Sequence, residues 1–282
     1  MKFNLLFYFT KAKNTEGVTA NKTLYYDMTF SIITIVYNGA ELMGGTMQSV
    51  LNQTFTDYEY LIIDGASKDD TLKIVNKYVD KLNTCVQVVS ERDKGLYDAM
   101  NKGLKLAKGD FVLFLNCGDR LFETTTLEKI NAHISSKTGV LFGETMLVND
   151  ARKHIGTRTE ITVQKLPKKL TWHSMKYGMV VCHQSFLARR TITPFYIENN
   201  LAADIDWVIK CLKICENAAN THTIISEYLM GGVSKQRHQQ SLWDRYAVLK
   251  FHFGTVPNVL NHVVITIRAV WFKVVNFGKK MY

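Results

Sequence analysis

The chain is 282 residues long, 46% hydrophobic, with a formal net charge of +10 and only three prolines. That length can bury a full core, as one α/β domain with an elaborated second half or as two small domains sharing a cleft, and the composition argues against a long disordered linker or a repeat array. The charge lacks the dense arginine run with interleaved aromatics of a nucleic-acid groove, so no nucleic-acid partner is expected; it suits anionic lipid headgroups and pyrophosphate-bearing substrates, or is simply a basic surface.

Residues 1–27 read as an N-terminal extension. Their apolar run, Phe3 to Phe9, is short and lacks a small-residue cleavage site, against a signal peptide. From Phe30 the pattern becomes regular. Phe30 to Val36 is a continuous apolar, β-branched run, as in a strand buried on both faces. Met47, Val50, Leu51 and Thr54 then recur at helical spacing, and Tyr60 to Ile63 is a second strand ending at Asp64-Gly65. Ser67 with Asp70 has capping-box spacing before a helix through Leu72, Val75, Val79 and Leu82. Val86 to Val89 is a third strand, Leu96 to Ala107 an amphipathic helix, and Phe111 to Leu115 a fourth strand. The alternation predicts an α/β fold with a mostly parallel sheet covered on both faces, dividing into 28–150, 151–240 and basic amphipathic helices at 241–282.

In such sheets ligands sit beyond the C-terminal ends of the strands. Those ends carry Tyr37-Asn38, Asp64, Glu91-Arg92-Asp93-Lys94-Gly95 and Asn116 with Asp119, more carboxylates than packing requires. Neither GxGxxG nor GxxxxGK[ST] is present, so phosphates must be met by a divalent metal, by Lys or Arg, or by helix N-termini. Asp119 is the metal candidate, for Mg²⁺ or Mn²⁺, or else a turn aspartate before the helix that begins near Thr126. Asp64 can accept the ring N–H of uracil or guanine, or serve as a turn former before Gly65. Asp69 and Asp70 read as helix-start carboxylates. The five cysteines, Cys85, Cys117, Cys182, Cys211 and Cys215, fit neither a disulfide framework nor a zinc site and read as buried thiols of a reducing compartment.

Three segments carry a resemblance. They are Ser31 to Asn38, Asp64 to Thr71, and Asp93-Lys94-Gly95-Leu96-Tyr97-Asp98-Ala99-Met100-Asn101-Lys102-Gly103, the last being the most specific. Together they resemble family 2 glycosyltransferases of the GT-A fold, in the branch that builds bacterial O-antigen and other surface polysaccharides. The resemblance implies that 28–150 is the nucleotide-sugar-binding half and 151–240 the acceptor-side half, with nucleoside contacts at Thr34, Tyr37, Asn38 and Asp64. It places the acidic DxD-type element on Asn116-Cys117-Gly118-Asp119, where Gly118 stands in for the usual second carboxylate and puts full metal dependence in doubt. More faintly, Cys182 to Ser185 is similar to the acceptor-side segment, Ala202 to Trp207 to the stretch that supplies the general base, and Gly231 to Ser234 to a loop near the donor phosphates.

The mechanism implied is an inverting single displacement from a nucleotide-sugar, UDP before GDP on family grounds, to a lipid-linked oligosaccharide acceptor. Asp204 is the expected base, at a helix start marked by Ile205, Val208, Ile209 and Leu212, with a plain N-cap as its bland alternative and Asp206 as understudy on the acceptor side. His183 reads either as an acceptor or diphosphate contact or as a structural histidine, and Arg92 and Lys94 either as phosphate contacts or as solvated charges. Val259, Leu260, Val263, Val264, Ile267, Val270, Trp271 and Val274 form a stripe interrupted by charge, a poor spanning helix. With Lys279 and Lys280 it predicts an interfacial helix on an anionic, inner membrane face, or else a helix packed on the catalytic domain. A sugar nucleotidyltransferase lacks its Gly-rich loop here, and a catalytically degenerate scaffold subunit stays open through Gly118.

Overall fold

Strand β2, Phe30–Val36, is buried along its whole length, which is why it reads as an unbroken apolar run rather than an alternating one. The computed structural model describes residues 5–8, 28–82, 84–231 and 237–275. Around β2 the first half winds as β1 (Leu5–Tyr8), α1 (Ala40–Leu51), β3 (Tyr58–Asp64), α2 (Thr71–Val79), β4 (Cys85–Ser90), α3 (Leu96–Leu106) and β5 (Phe111–Phe114). It continues through β6 (Arg120–Leu121), α4 (Thr126–Asn131), β7 (Thr138–Val148), β8 (His154–Thr157), α5 (Arg158–Ile161), β9 (Phe186–Arg189), α6 (Ala203–Ile214) and β10 (Asn217–Leu229). Helices α7 (His238–Phe253) and α8 (Thr255–Val275) close the described chain.

The ten strands among the described residues join one sheet in the order β1-β4-β3-β2-β5-β9-β7-β10-β6, with β8 paired on β7. The run β4-β3-β2-β5 is parallel, as the alternation predicts. Beyond it β9 enters antiparallel between β5 and β7, and β10 returns parallel to β7. Residues 5–8, in the stretch read as an extension, pair antiparallel with β4 and so form the sheet's edge.

Two cores cover the two faces. Ile33, Ile35, Leu61 and Ile63 pack with α3 and α6, while Phe30, Ile32, Tyr60 and Ile62 pack with α1 and α2. The motif at 93–103 is explained largely by this packing. A Cβ at Gly103 would come within 2.5 Å of Ile33, so glycine lets α3 lie close on β2. Asn101 is buried and exchanges hydrogen bonds with the backbone of Tyr196, and Lys102 bridges Glu91, Asp93 and Asp98.

The capping box at Ser67 does not form. Helix α2 starts at Thr71 after Asp70, without a side-chain cap, because the Ser67 hydroxyl instead accepts the Asn38 N–H across the loops. Asp69 does act at helix starts, accepting the N–H groups of Thr71 and Ala40. All five cysteines are free, with Cys211 buried.

Candidate active site

The register puts the predicted strand ends on one edge of the sheet. Val36 of β2 lies opposite Asp64 of β3, and Cys117 donates its N–H to Ile35 just past β5. Asp64 and Asp119 therefore flank the Tyr37–Gly39 turn on the same side.

At the β3 end Asp64 is fully buried. Its carboxylate accepts the Ser67 N–H at 3.1 Å and the Ser90 hydroxyl at 2.6 Å. Asn38 adopts φ 50 and accepts the Lys68 N–H through its side chain, tying the two loops together. Tyr37 stands 61% exposed beside Gly65. A Cβ on Gly65 would also meet the Asp93 carboxylate at 2.8 Å, so Asp93, not singled out from sequence, joins Tyr37 and Asp64 here. Arg92 and Lys94 are exposed on the adjoining loop. Thr34 departs from expectation: it is fully buried, its hydroxyl shared between Tyr60 and the Leu115 carbonyl, so it offers no surface to a nucleoside.

At the β5 end Asp119 is buried, accepting the Leu229 N–H at 3.0 Å and the Gln184 amide at 2.9 Å. Burial pushes its pKa up to about 7, against the pull of those two donors and Arg152. Gly118 has φ 101, and a Cβ there would touch Leu229 and Leu42, so the backbone itself explains why no carboxylate occupies this position. Among the described residues no group of three or more His, Cys, Asp and Glu side chains is placed to hold a metal.

Asp204 lies in the first turn of α6, whose N-cap is Ala202, so the plain N-cap alternative does not hold. Its carboxylate accepts the Ile205 N–H at 2.9 Å. Burial raises its pKa to about 6, moderated by backbone N–H groups and Arg158. The Tyr97 ring of the 93–103 motif comes close enough to Asp204 for the carboxylate to raise the phenol's pKa, after burial. Tyr228 links the two ends of the site: burial first, then Cys182, Asp119 and Asp204 all raise its pKa. One phenol thus feels both carboxylates, and no sequence pattern had marked it.

Two other expected contacts are committed elsewhere. His183 is buried, bonded to the Tyr196 hydroxyl at 2.7 Å and packed among Phe114, Tyr196 and Trp207, with burial lowering its pKa to about 4. It is the structural histidine, neutral and closed to an acceptor. Asp206 is hydrogen-bonded to His252 of α7 and ion-paired with Lys210, both at 2.8 Å. The loop expected near the donor phosphates lies, from residue 232, outside the described residues, as do Lys279 and Lys280.

The family model described as glycosyl transferase family 2 matches residues 31–193. The chain belongs to that family. Among its family 2 relatives, a PGL/p-HBAD biosynthesis glycosyltransferase of Mycobacterium bovis is 30% identical over 73% of this chain and 78% of its own length. The Escherichia coli UDP-Glc:alpha-D-GlcNAc-diphosphoundecaprenol beta-1,3-glucosyltransferase WfaP is 28% identical over 74% and 81%. The crystal structure of Staphylococcus aureus TarS 1–349 in complex with UDP-GlcNAc superposes with a TM-score of 0.62 at 20% identity, covering 90% of this chain and 76% of that one. The fold is GT-A.

Proposed function

We propose that this family 2 glycosyltransferase moves a hexose from a UDP-sugar to a lipid-linked oligosaccharide, with inversion, in surface-polysaccharide synthesis. What supports the reading is the register of the sheet, which sets Val36 opposite Asp64 and the Cys117 N–H on Ile35, so that the loops of Asp64 and Asp119 open on one edge, with the Asp119 and Asp204 carboxylates both acting on the Tyr228 phenol. Asp204 takes the acceptor hydroxyl proton as that oxygen attacks the anomeric carbon. Its raised pKa of about 6 leaves it ionised at neutral pH yet more basic than an ordinary aspartate. A single base with no nucleophile beside it gives one displacement and an inverted product.

Tyr37, Asn38, Asp64 and the neighbouring Asp93 form the nucleoside end. Asp64 reads a uracil N–H only if the 64–67 turn opens, because its carboxylate is buried and held by Ser67 and Ser90. Arg92 and Lys94 border that end and can approach phosphates. Asp119 fits Mg²⁺ or Mn²⁺ only as a one-carboxylate site completed by diphosphate oxygens and water. Such an ion supplies neutralising charge to the leaving diphosphate.

The lipid-linked acceptor accords with α8. Val259, Val263, Ile267, Val270, Trp271 and Val274 are all exposed along one side of that helix, while Asn258, His262 and Arg268 face α7 and the 172–177 turn. No helix among the described residues is long and apolar enough to cross a membrane. An outward apolar face of this kind suits peripheral seating on the inner, anionic leaflet. Presenting the full chain with UDP- and GDP-sugars and an undecaprenyl-diphosphate-linked acceptor tests the assignment. A β- or α-inverted product from a UDP-hexose is expected, and failure to bind or consume any sugar nucleotide would overturn it.

A further inference from the structure

Two arginines stand beside Asp119 without a counter-ion of their own. Arg120 directly follows it, and its guanidinium lies across Gly45 of α1 so closely that a side chain at 45 would collide with it. Two adjacent glycines inside a helix weaken it, yet Gly45 is what leaves room for this group. The Arg120 Nε is buried with no hydrogen-bond partner. Arg152 projects from the β7–β8 turn at φ 61, a left-handed conformation uncommon for a non-glycine residue, and both of its Nη atoms are buried and unpartnered.

The surroundings do not neutralise this pair. Burial and then Arg120 draw the Arg152 pKa down, while Glu227, Asp119 and Cys117 oppose them. Glu227, the carboxylate best placed to answer an arginine, is held by His154 at 2.7 Å. Asp119 is occupied by Leu229 and Gln184. Buried donors without acceptors, on two like charges, are costly to keep unless a ligand completes them. Both Nη atoms of one guanidinium are free, the fork that matches two oxygens of a phosphoryl group.

We propose that Arg152, backed by Arg120, is an anion subsite beside Asp119 that grips a phosphoryl group of the donor diphosphate. It supplies part of the positive charge directly, at a loop where Gly118 leaves no second carboxylate to hold a cation firmly. This rests on the nucleotide-sugar reading above and adds to it a residue from a hairpin turn outside the strand-end loops.

The test is calorimetric titration of the full chain in EDTA with inorganic pyrophosphate, UDP and uridine, for the wild type, Arg152→Gln and Arg152→Lys. The wild type binds pyrophosphate and UDP without metal. Arg152→Gln weakens both by about tenfold or more and leaves uridine unchanged, and Arg152→Lys, which keeps charge but loses the fork, falls between. Thermal melting in pyrophosphate gives a second readout, a rise in Tm for the wild type that Arg152→Gln loses; should that variant not fold, a Lys variant binding as tightly as wild type overturns the subsite. Wild-type binding of neither anion in EDTA, or an unchanged Arg152→Gln, would each overturn it too. Pyrophosphate binding that depends on Arg152, with no nucleotide bound more tightly, would leave the subsite standing and remove the donor reading instead.

Discussion

Asp204 and Asp206 stand two residues apart in the first turn of α6 and are driven to opposite proton affinities. For Asp206, burial raises the pKa but the hydrogen bonds and charges of His252 and Lys210 more than reverse it, leaving the carboxyl below its ordinary value. For Asp204, burial dominates and the pKa climbs to about 6. Two residues along a helix turn a side chain through about 200°, so one carboxylate meets α7 while its neighbour keeps company with Tyr97 and Tyr228. Environments that separate two like groups in this way give them different proton chemistry.

The exchange Asp204→Asn is therefore expected to lower kcat by two to four orders of magnitude, roughly the contribution of a positioned base, with UDP affinity unchanged. Asp206→Ala should do the reverse, leaving catalysis in place but destabilising the fold by about 3 kcal/mol, because His252 is left buried without its partner. Steady-state kinetics and urea melts of the two variants decide the matter. An Asp204→Asn enzyme with wild-type turnover removes it as the base.

The same raised pKa sets a pH profile. Below about 6 Asp204 holds its proton and cannot accept another, so kcat/KM should fall on the acid side with a midpoint near that value, and not near 4 as for an ordinary aspartate. Measuring kcat/KM from pH 5 to 8 at saturating metal checks it, and a flat profile down to pH 5 contradicts the assignment.

The parallel half of the fold was legible because its strands are buried on both faces, and four apolar runs with polar ends leave little choice of architecture. That Asp64 and Asp119 end strands on one edge was legible for the same reason, since strand ends in such a sheet share an edge. What escaped depended on contacts distant in the chain. Thr34 looks like any β-branched strand residue until Tyr60 and Leu115 claim its hydroxyl. The choice between Asp204 and Asp206 required His252 from α7, and His183 required the aromatic cage of Phe114, Tyr196 and Trp207. Arg152 sits in a polar run, Asn149 to His154, that reads as an ordinary hairpin turn; only its unpartnered nitrogens set it apart.

Asp119 predicts a stability effect that does not involve turnover. Its folded pKa of about 7 lies above the ordinary 3.8, so between those values the folded chain holds a proton that the unfolded chain has released. Stability should consequently fall as pH rises from about 4 to 7, by up to a few kcal/mol on the linkage relation, because a buried carboxylate must ionise. Asp119→Asn keeps an acceptor for the Leu229 N–H and can donate to a flipped Gln184 amide. It should flatten that dependence and raise Tm at pH 8. A variant whose Tm tracks the wild type across the range would contradict this account of the site.

The last prediction concerns α8. Its exposed apolar side chains from Val259 to Val275 cover roughly 160° of the helix circumference, and Trp271 is 68% exposed. Trp243 and Phe251 of the neighbouring α7 are also exposed. The inward side is already filled by Asn258, whose amide is bonded to the Tyr246 carbonyl, by His262, whose ring rests on Tyr246, and by the half-buried Ile265 and Ala269, so the outer apolar stripe is left without a partner within the described residues. Pairing Val263→Asp with Ile267→Asp places two charges on exposed positions, so folding should be preserved, and the Tm is expected to stay within a few degrees. Membrane seating should suffer instead. Co-sedimentation with vesicles containing phosphatidylglycerol should drop at least about tenfold, since each charge must be desolvated at the headgroup boundary, while transfer to a short water-soluble acceptor continues. Wild-type protein that ignores anionic vesicles, or a double variant that sediments equally well, would mean that something other than lipid covers this face.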